Sequence, residues 1–309
     1  MFNIILAGIS GSGKTSIKSV TFDKRYPQDT IYNPITYKLE SYPIETLGIC
    51  NLNLIEFPGT FSYESITEEY IQYITKSKVI IFVYDIQGDK DKQFEYFKKN
   101  ILPIFSKYKG LSLYIFLHKV DSNISKYEVS KQGDEFKTKI EPYKKNQNIE
   151  NSNIFQTSIY NSTMFEAFSN ILQDLLPTNR NMSTLLQNLS QNCGFEKAYL
   201  VDLFNKIYLA FGDKAIDSDN FNMCSEFIEL ILGMVGLYSE DKKSNEKIFD
   251  DNTDCSVKIG NNDLIVKFID KNLALVAFGD RKNIERKNII DYNINLFREG
   301  VNSILQVHK

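Results

Sequence analysis

The run Gly8 to Thr15, GISGSGKT, fits the spacing G-x-x-x-x-G-K-[ST] and stands between a short apolar run, NIILAG, and a helical stretch, TSIKSV. A strand, a glycine-rich turn and a helix in that order form a phosphate cradle. The order also points to an α/β sheet, in which a buried strand delivers the turn to a helix N-terminus. Gly11 and Gly13 allow successive backbone N–H groups to face one point, and Lys14 adds a cation for β- and γ-phosphates. Thr15 offers a hydroxyl to Mg²⁺, and Gly8, Ser10, Ser12 and Ser16 complete the expected phosphate-binding stretch.

Further along, NLNLIEF, VIIFVYD and SLYIFLHK are short apolar runs bounded by polar segments, the pattern of buried strands. Between the last two, Phe94, Phe97, Ile101 and Ile104 follow a helical spacing, with a kink expected at Pro103. Strand and helix alternating in this way imply a doubly wound, mostly parallel sheet that binds ligands beyond the carboxyl ends of its strands. All seven prolines lie between Pro27 and Pro177, and the last opens the polar run PTNRNMS. A boundary is expected there, giving domains 1–178 and 179–309.

Past the boundary the pattern changes to a small α+β domain. Ser183 to Asn192 has a helical pattern, KAYLVDL and KIYLAF are strands, and Cys224, Phe227, Ile228, Ile231, Leu232 and Val235 mark a second helix. CSVKIG, DLIVKFI and LALVAFG form a meander with turns expected at Asn261-Asn262 and Lys271-Asn272. The polar run Ser239 to Asp254 is expected as a loop, and Ile290, Ile294, Phe297, Val301, Ile304 and Leu305 line a last helix.

Composition narrows the function. A chain 42% hydrophobic and 24% charged is of the soluble globular kind, and no run approaches the roughly 18 apolar residues of a membrane span. The formal charge of -3, with basic pairs interleaved among polar residues, gives no expectation of nucleic-acid binding. Cys50, Cys193, Cys224 and Cys255 are scattered and His118 lies far from His308, so a Cys/His zinc site is not expected and a reducing compartment is. MFNIILAG has no basic leader, Phe2 excludes a myristoylation site and LQVHK is no prenylation box, so no direct membrane anchor is expected.

The choice of nucleotide rests on LHKVD. Lys119 and Asp121 match the last positions of [NT]KxD, with His118 in the first. Guanine presents two donors, N1–H and N2–H₂, on one edge, and a carboxylate accepts both, whereas adenine has no such pair. TSIY, with Ser158 and Ile159, follows a further short strand, NIFQ, and would supply a second base loop. The position of a DxxG element holds EFPG: Gly59 is placed to meet a γ-phosphate, and Glu56 would reach Mg²⁺ through a water. Thr36 is the candidate hydroxyl of the first switch, and Thr30 is its competitor. The residue after Gly59 is Thr60, too short to orient an attacking water as a glutamine does there, so no catalytic residue is assigned.

Taken together, GISGSGKTSI, FPG, HKVD, TSIYNSTMFEAFSNILQDLLP and CGFEKAYLVDLFNKIYLA resemble the Rag GTPases, and FPG, HKVD and TSIY…FEAFS resemble the RagC/RagD branch. The resemblance runs from the first strand to the last helix. It implies an α/β P-loop GTPase domain followed by a roadblock/longin-like domain, with GTP or GDP and Mg²⁺ as ligands. It also implies pairing with a RagA/RagB-like GTPase through the second domain. A scaffold complex at the lysosome or vacuole would recruit the otherwise cytoplasmic pair, which relays amino-acid availability to the TOR kinase complex. By the same resemblance Lys14 and Thr15 contact phosphate and Mg²⁺, Asp121 reads guanine and Thr36 acts in switch I. The family pattern is DFPGQ, from which Glu56 and Thr60 depart. A pseudo-GTPase scaffold is the competing reading, and an Arf-like trafficking GTPase is a third that the missing lipidation signals oppose.

Overall fold

The computed structural model describes residues 2–44, 51–121, 124–146, 149, 152–176, 179–212, 218–238, 254–270, 273–284 and 286–307. Pro177, the turn expected at Lys271-Asn272, the run 239–253, Cys50 and His308 lie outside the described residues. By internal packing the first compact unit ends at Ala167 and the second begins at Phe168.

The first unit is an α/β sheet of strands β1 (Phe2–Ala7), β2 (Glu40–Ile44), β3 (Leu52–Glu56), β4 (Ser77–Asp85), β5 (Ser112–His118) and β6 (Ser152–Thr157). Their spatial order is β2-β3-β1-β4-β5-β6. All pairs are parallel except β2 with β3. β3 is buried along its length and β4 almost so, as a parallel sheet covered on both faces requires.

The helices are α1 (Lys14–Thr21), α2 (Glu68–Lys76), α3 (Lys90–Tyr96), α4 (Leu102–Lys107) and α5 (Lys126–Asn146), and α6 (Thr163–Leu175) starts in this unit and continues into the second. The irregularity expected at Pro103 takes a specific form. α3 runs through a π-helical turn, Phe97–Ile101, into α4, whose first turn holds Pro103. Proline has no N–H to donate, and the wider winding just before it accommodates the lost bond without ending the helix.

Helix α5 is polar over most of its surface and docks by one narrow stripe, Val129, Phe136 and Ile140. Phe136 sits among Phe82, Tyr84, Phe94 and Phe97 at ring-centroid distances of 5.9, 5.1, 5.8 and 5.5 Å. Gly133 permits the close approach, since a Cβ there would stand 2.9 Å from Leu117 Cδ1. Truncating Phe136 to alanine would cost about 3–5 kcal/mol, the usual loss for a buried phenylalanine.

The second unit carries α7 (Asn179–Cys193), β7 (Phe195–Asp202), β8 (Ile207–Phe211), α8 (Ser218–Tyr238), β9 (Asp254–Ile259), β10 (Asn262–Asp270), β11 (Leu273–Asp280), α9 (Arg281–Ile284) and α10 (Lys287–Val307). The five strands form one antiparallel sheet in the order β8-β7-β11-β10-β9. Antiparallel sheet and flanking helices give the roadblock-like α+β architecture that the resemblance implies, with the short α9 added. Met182, Leu186, Leu189 and Cys193 bury one face of α7, and Ile290, Ile294, Phe297, Val301 and Leu305 bury one face of α10. The two helices meet at Gly300, where a Cβ would lie 3.0 Å from Leu185 Cδ1. Phe221 of α8 lies on Tyr208 at a centroid distance of 4.4 Å.

The turn expected at Asn261-Asn262 lies one residue earlier. Ile259 pairs with Asn262, leaving Gly260 and Asn261 as the turn. Gly260 has φ 61, a left-handed conformation that glycine adopts at little cost. Among the described residues no helix is long and apolar enough to cross a membrane.

Candidate functional site

Five parallel strands end on the same edge of the first sheet, and their last residues are Ala7, Glu56, Asp85, His118 and Thr157. The strand order reverses at β1, so the glycine-rich turn between β1 and α1 stands at the switch point where such sheets take ligands. Ser10, Gly11, Gly13, Lys14, Thr15 and Ser16 line one pocket there, with Thr36, Glu56 and Gly59 opposite. Thr30, Asn33, Pro34 and Ile35 complete the lining, and of these four the sequence singled out Thr30 alone.

The glycines are close-approach positions. A Cβ on Gly8 would stand 2.6 Å from the Val83 carbonyl oxygen, and one on Gly59 would stand 2.2 Å from Ser10 N. Any side chain at Gly59 would therefore push its turn off the glycine-rich turn. Gly13 has φ 100, and its Cα faces the edge of the His118 ring, where a Cβ would meet Cδ2 at 2.6 Å. Ser12 is fully buried, and its hydroxyl has no hydrogen-bond partner among the described residues.

Lys14 Nζ donates to the Gly8 and Ile9 carbonyls, each at 2.9 Å. Burial lowers its pKa to about 8, although Glu56 opposes the shift. Thr15 Oγ1 donates to Glu56 Oε1 at 2.6 Å and Thr36 Oγ1 donates to the same oxygen at 3.0 Å. The two hydroxyl oxygens are 3.1 Å apart. Thr30 lines the same pocket, but its hydroxyl donates to the Pro27 carbonyl at 2.7 Å within the 3₁₀ turn Pro27–Tyr32. The geometry thus brings Thr36, and not Thr30, onto Thr15 and Glu56.

Glu56 is 1% exposed, and its Oε2 is buried with no hydrogen-bond partner among the described residues. Burial raises its carboxyl pKa above the usual range, against the hydrogen bond from Thr15 and the charge of Lys14. Two hydroxyl oxygens and a carboxylate with one unanswered oxygen are hard oxygen donors, the set that suits Mg²⁺. The residues present fit that ion.

On the other side, Asp121 Oδ1 accepts a short hydrogen bond from Ser158 Oγ. Ser158 Oγ also accepts from Tyr160 N at 3.0 Å, so the two expected base loops are joined; Ile159 lies half-buried in the turn between. His118 Nδ1 and Thr157 Oγ1 are 3.1 Å apart. Burial, reinforced by the charge of Lys119, lowers the His118 pKa to about 4, so the ring is neutral at physiological pH. Thr60 is exposed beside Gly59.

Two residues escaped the reading of the sequence. Lys119 Nζ donates to Gly11 O at 2.8 Å and to Asp85 Oδ2 at 2.5 Å. Asp85 is gripped by Gln93, which accepts from its N–H at 2.7 Å and donates to its carbonyl at 2.8 Å. The available signal was a carboxylate at the carboxyl end of a central strand; Gln93 left none.

The family model of the Gtr1/RagA G protein conserved region matches residues 3–228. Ras-related GTP-binding protein C of Homo sapiens is 27% identical over 312 residues, covering 98% of this chain and 77% of that protein. Ras-related GTP-binding protein D of Mus musculus is also 27% identical, covering 98% of this chain and 68% of its own length. GTP-binding protein gtr2 of Schizosaccharomyces pombe is 29% identical over 308 residues, with 97% of each chain covered. The chain therefore belongs to the Gtr1/RagA G protein family, as a RagC/RagD-like Rag GTPase.

Proposed function

We propose that this chain is a guanine-nucleotide-binding switch subunit of a Rag-type heterodimer. The observation that carries the reading is the convergence of Lys14, Thr15, Thr36 and Glu56 at one strand edge, with Thr36 and Thr15 hydrogen-bonded to the same carboxylate oxygen. Lys14 and the backbone of Gly8 to Ser16, with Ser10 and Ser12, would hold the phosphates. Thr15 and Thr36 would ligate Mg²⁺, and Glu56 would act through a water. When bound, the ion would neutralise phosphate charge. Asp121 would accept from guanine, with His118, Lys119, Ser158 and Ile159 shaping the base pocket.

Switching in this reading follows from Thr36 and Gly59. Both lie on segments that touch the glycine-rich turn, so a γ-phosphate would bias both. Thr60 leaves the position after Gly59 without a water-orienting amide, and single-turnover hydrolysis is expected at no more than on the order of 10⁻⁴ per second without a partner protein. The competing reading, a scaffold subunit whose nucleotide is structural, draws on the same Thr60 and on Glu56.

Pairing with a RagA/RagB-like GTPase through the second unit is supported by its exposed apolar side chains, Leu230 and Met234 on α8 and Ile289, Tyr292 and Leu296 on α10. By family likeness the pair would be cytoplasmic, drawn to the lysosomal or vacuolar surface by a scaffold complex, and would report amino-acid availability to the TOR kinase complex. Titration of the purified chain with fluorescent GDP, GTP, ATP and XTP in Mg²⁺ tests the central claim. Micromolar or tighter binding confined to guanine nucleotides supports it. A folded chain that binds none of them overturns it and favours the scaffold.

A further inference from the structure

We propose that Asp85 is a positioning residue of the nucleotide site: it holds the Lys119 ammonium against the Gly11 carbonyl and so ties the base-reading loop to the phosphate loop. The proposal rests on the nucleotide-binding reading above. Lys119 is a long, flexible side chain, and its backbone adopts φ 68, which is uncommon for a residue with a Cβ. A flexible ammonium needs an external hold to stay on one carbonyl. The Asp85 carboxylate supplies it with a charge-assisted bond of 2.5 Å, while the same ammonium reaches Gly11 O at 2.8 Å.

Asp85 is itself prevented from turning away. Its Oδ1 accepts from Gln87 N at 2.9 Å, and its backbone N–H and carbonyl are both held by the fully buried Gln93 side chain. Gln93 belongs to α3, whose start is capped by Asp89 accepting from Asp91 N and Lys92 N. Next door, Ile86 N donates to His118 O at 3.1 Å, so the end of β4 is also fastened to the residue before Lys119. The order of support is α3, Gln93, Asp85, Lys119, Gly11. Opening the base loop then requires breaking the link to the phosphate loop, which slows nucleotide release.

The test is a double-mutant cycle on the full chain, reading release of fluorescent GDP together with the thermal midpoint. Asp85→Asn is expected to speed release about ten-fold, because it replaces an ionic bond by a neutral one of similar shape. Lys119→Met should speed release at least as much, and the double variant should release no faster than Lys119→Met alone. Release within two-fold of wild type in Asp85→Asn, or effects that multiply in the double variant, would overturn the proposal. A wild-type chain that binds no guanine nucleotide refutes the nucleotide reading by itself. The tie is then read by amide exchange: faster exchange in both 8–15 and 116–121 of Asp85→Asn supports it, and unchanged exchange in 8–15 overturns it.

Discussion

The two ends of the site are built on opposite principles. At the phosphate end, Lys14, Glu56 and Ser12 are buried with incomplete compensation: the lysine pKa falls to about 8, the glutamate pKa rises, and Glu56 Oε2 and Ser12 Oγ lack partners among the described residues. At the base end, Lys119 bonds Asp85 and Gly11, Asp121 bonds Ser158, and His118 is neutral beside Thr157. Buried charge without a full set of partners is a demand for a ligand; buried polar groups with partners hold a shape. Affinity should therefore be concentrated at the first end and selectivity at the second.

Lys14→Ala should break the contrast most severely, weakening GTP binding about a thousand-fold, since it removes a buried charge from the phosphates. Calorimetric titration would show it, and a loss below ten-fold would mean that the phosphate end is not where affinity resides. Asp121→Asn should come next, with about a hundred-fold lost for GTP and a gain for XTP, because an amide can donate to the C2 carbonyl of xanthine. Equal losses for both nucleotides would remove the distinction between the two ends.

Proton linkage sharpens the contrast. Phosphate favours the charged lysine, so above about pH 8, where free Lys14 loses its proton, binding must take one up. Affinity should fall by up to about ten-fold per pH unit there and be flat below from this group, as dissociation constants between about pH 7 and 10 would show. Folding has the opposite slope: the lowered value costs stability below about 8, and the cost is relieved as pH rises toward the ordinary lysine value of 10.5. The smallest effect expected is from Ser158→Ala, a loss of about three- to ten-fold in GTP affinity, since Asp121 keeps its carboxylate and loses one donor.

How much could be read in advance depended on chain separation. The glycine-rich turn lies within eight consecutive residues, and buried parallel strands declare themselves as continuous apolar runs. β2 did not, because ESYPI is a polar edge segment containing Pro43, paired antiparallel to β3. α5 did not either, because one aromatic, two aliphatics and a close-approach glycine are too sparse to set a period over 21 residues. The hairpin turn was displaced by one residue because Gly260, not an asparagine, takes the positive φ.

The sequence alone determined the parallel strands of the first unit, the place of the glycine-rich turn, and the residue types offered to a guanine base. These follow from local spacing and period, which a single strand or turn expresses without its neighbours. Only the tertiary structure brought the Thr36 hydroxyl, rather than that of Thr30, onto Thr15 and Glu56, joined Asp121 to Ser158, and set Asp85 on Lys119. Each of those depends on groups at least twenty positions apart meeting at one strand edge. No local pattern encodes such a meeting, because the register and order of the sheet bring those groups together.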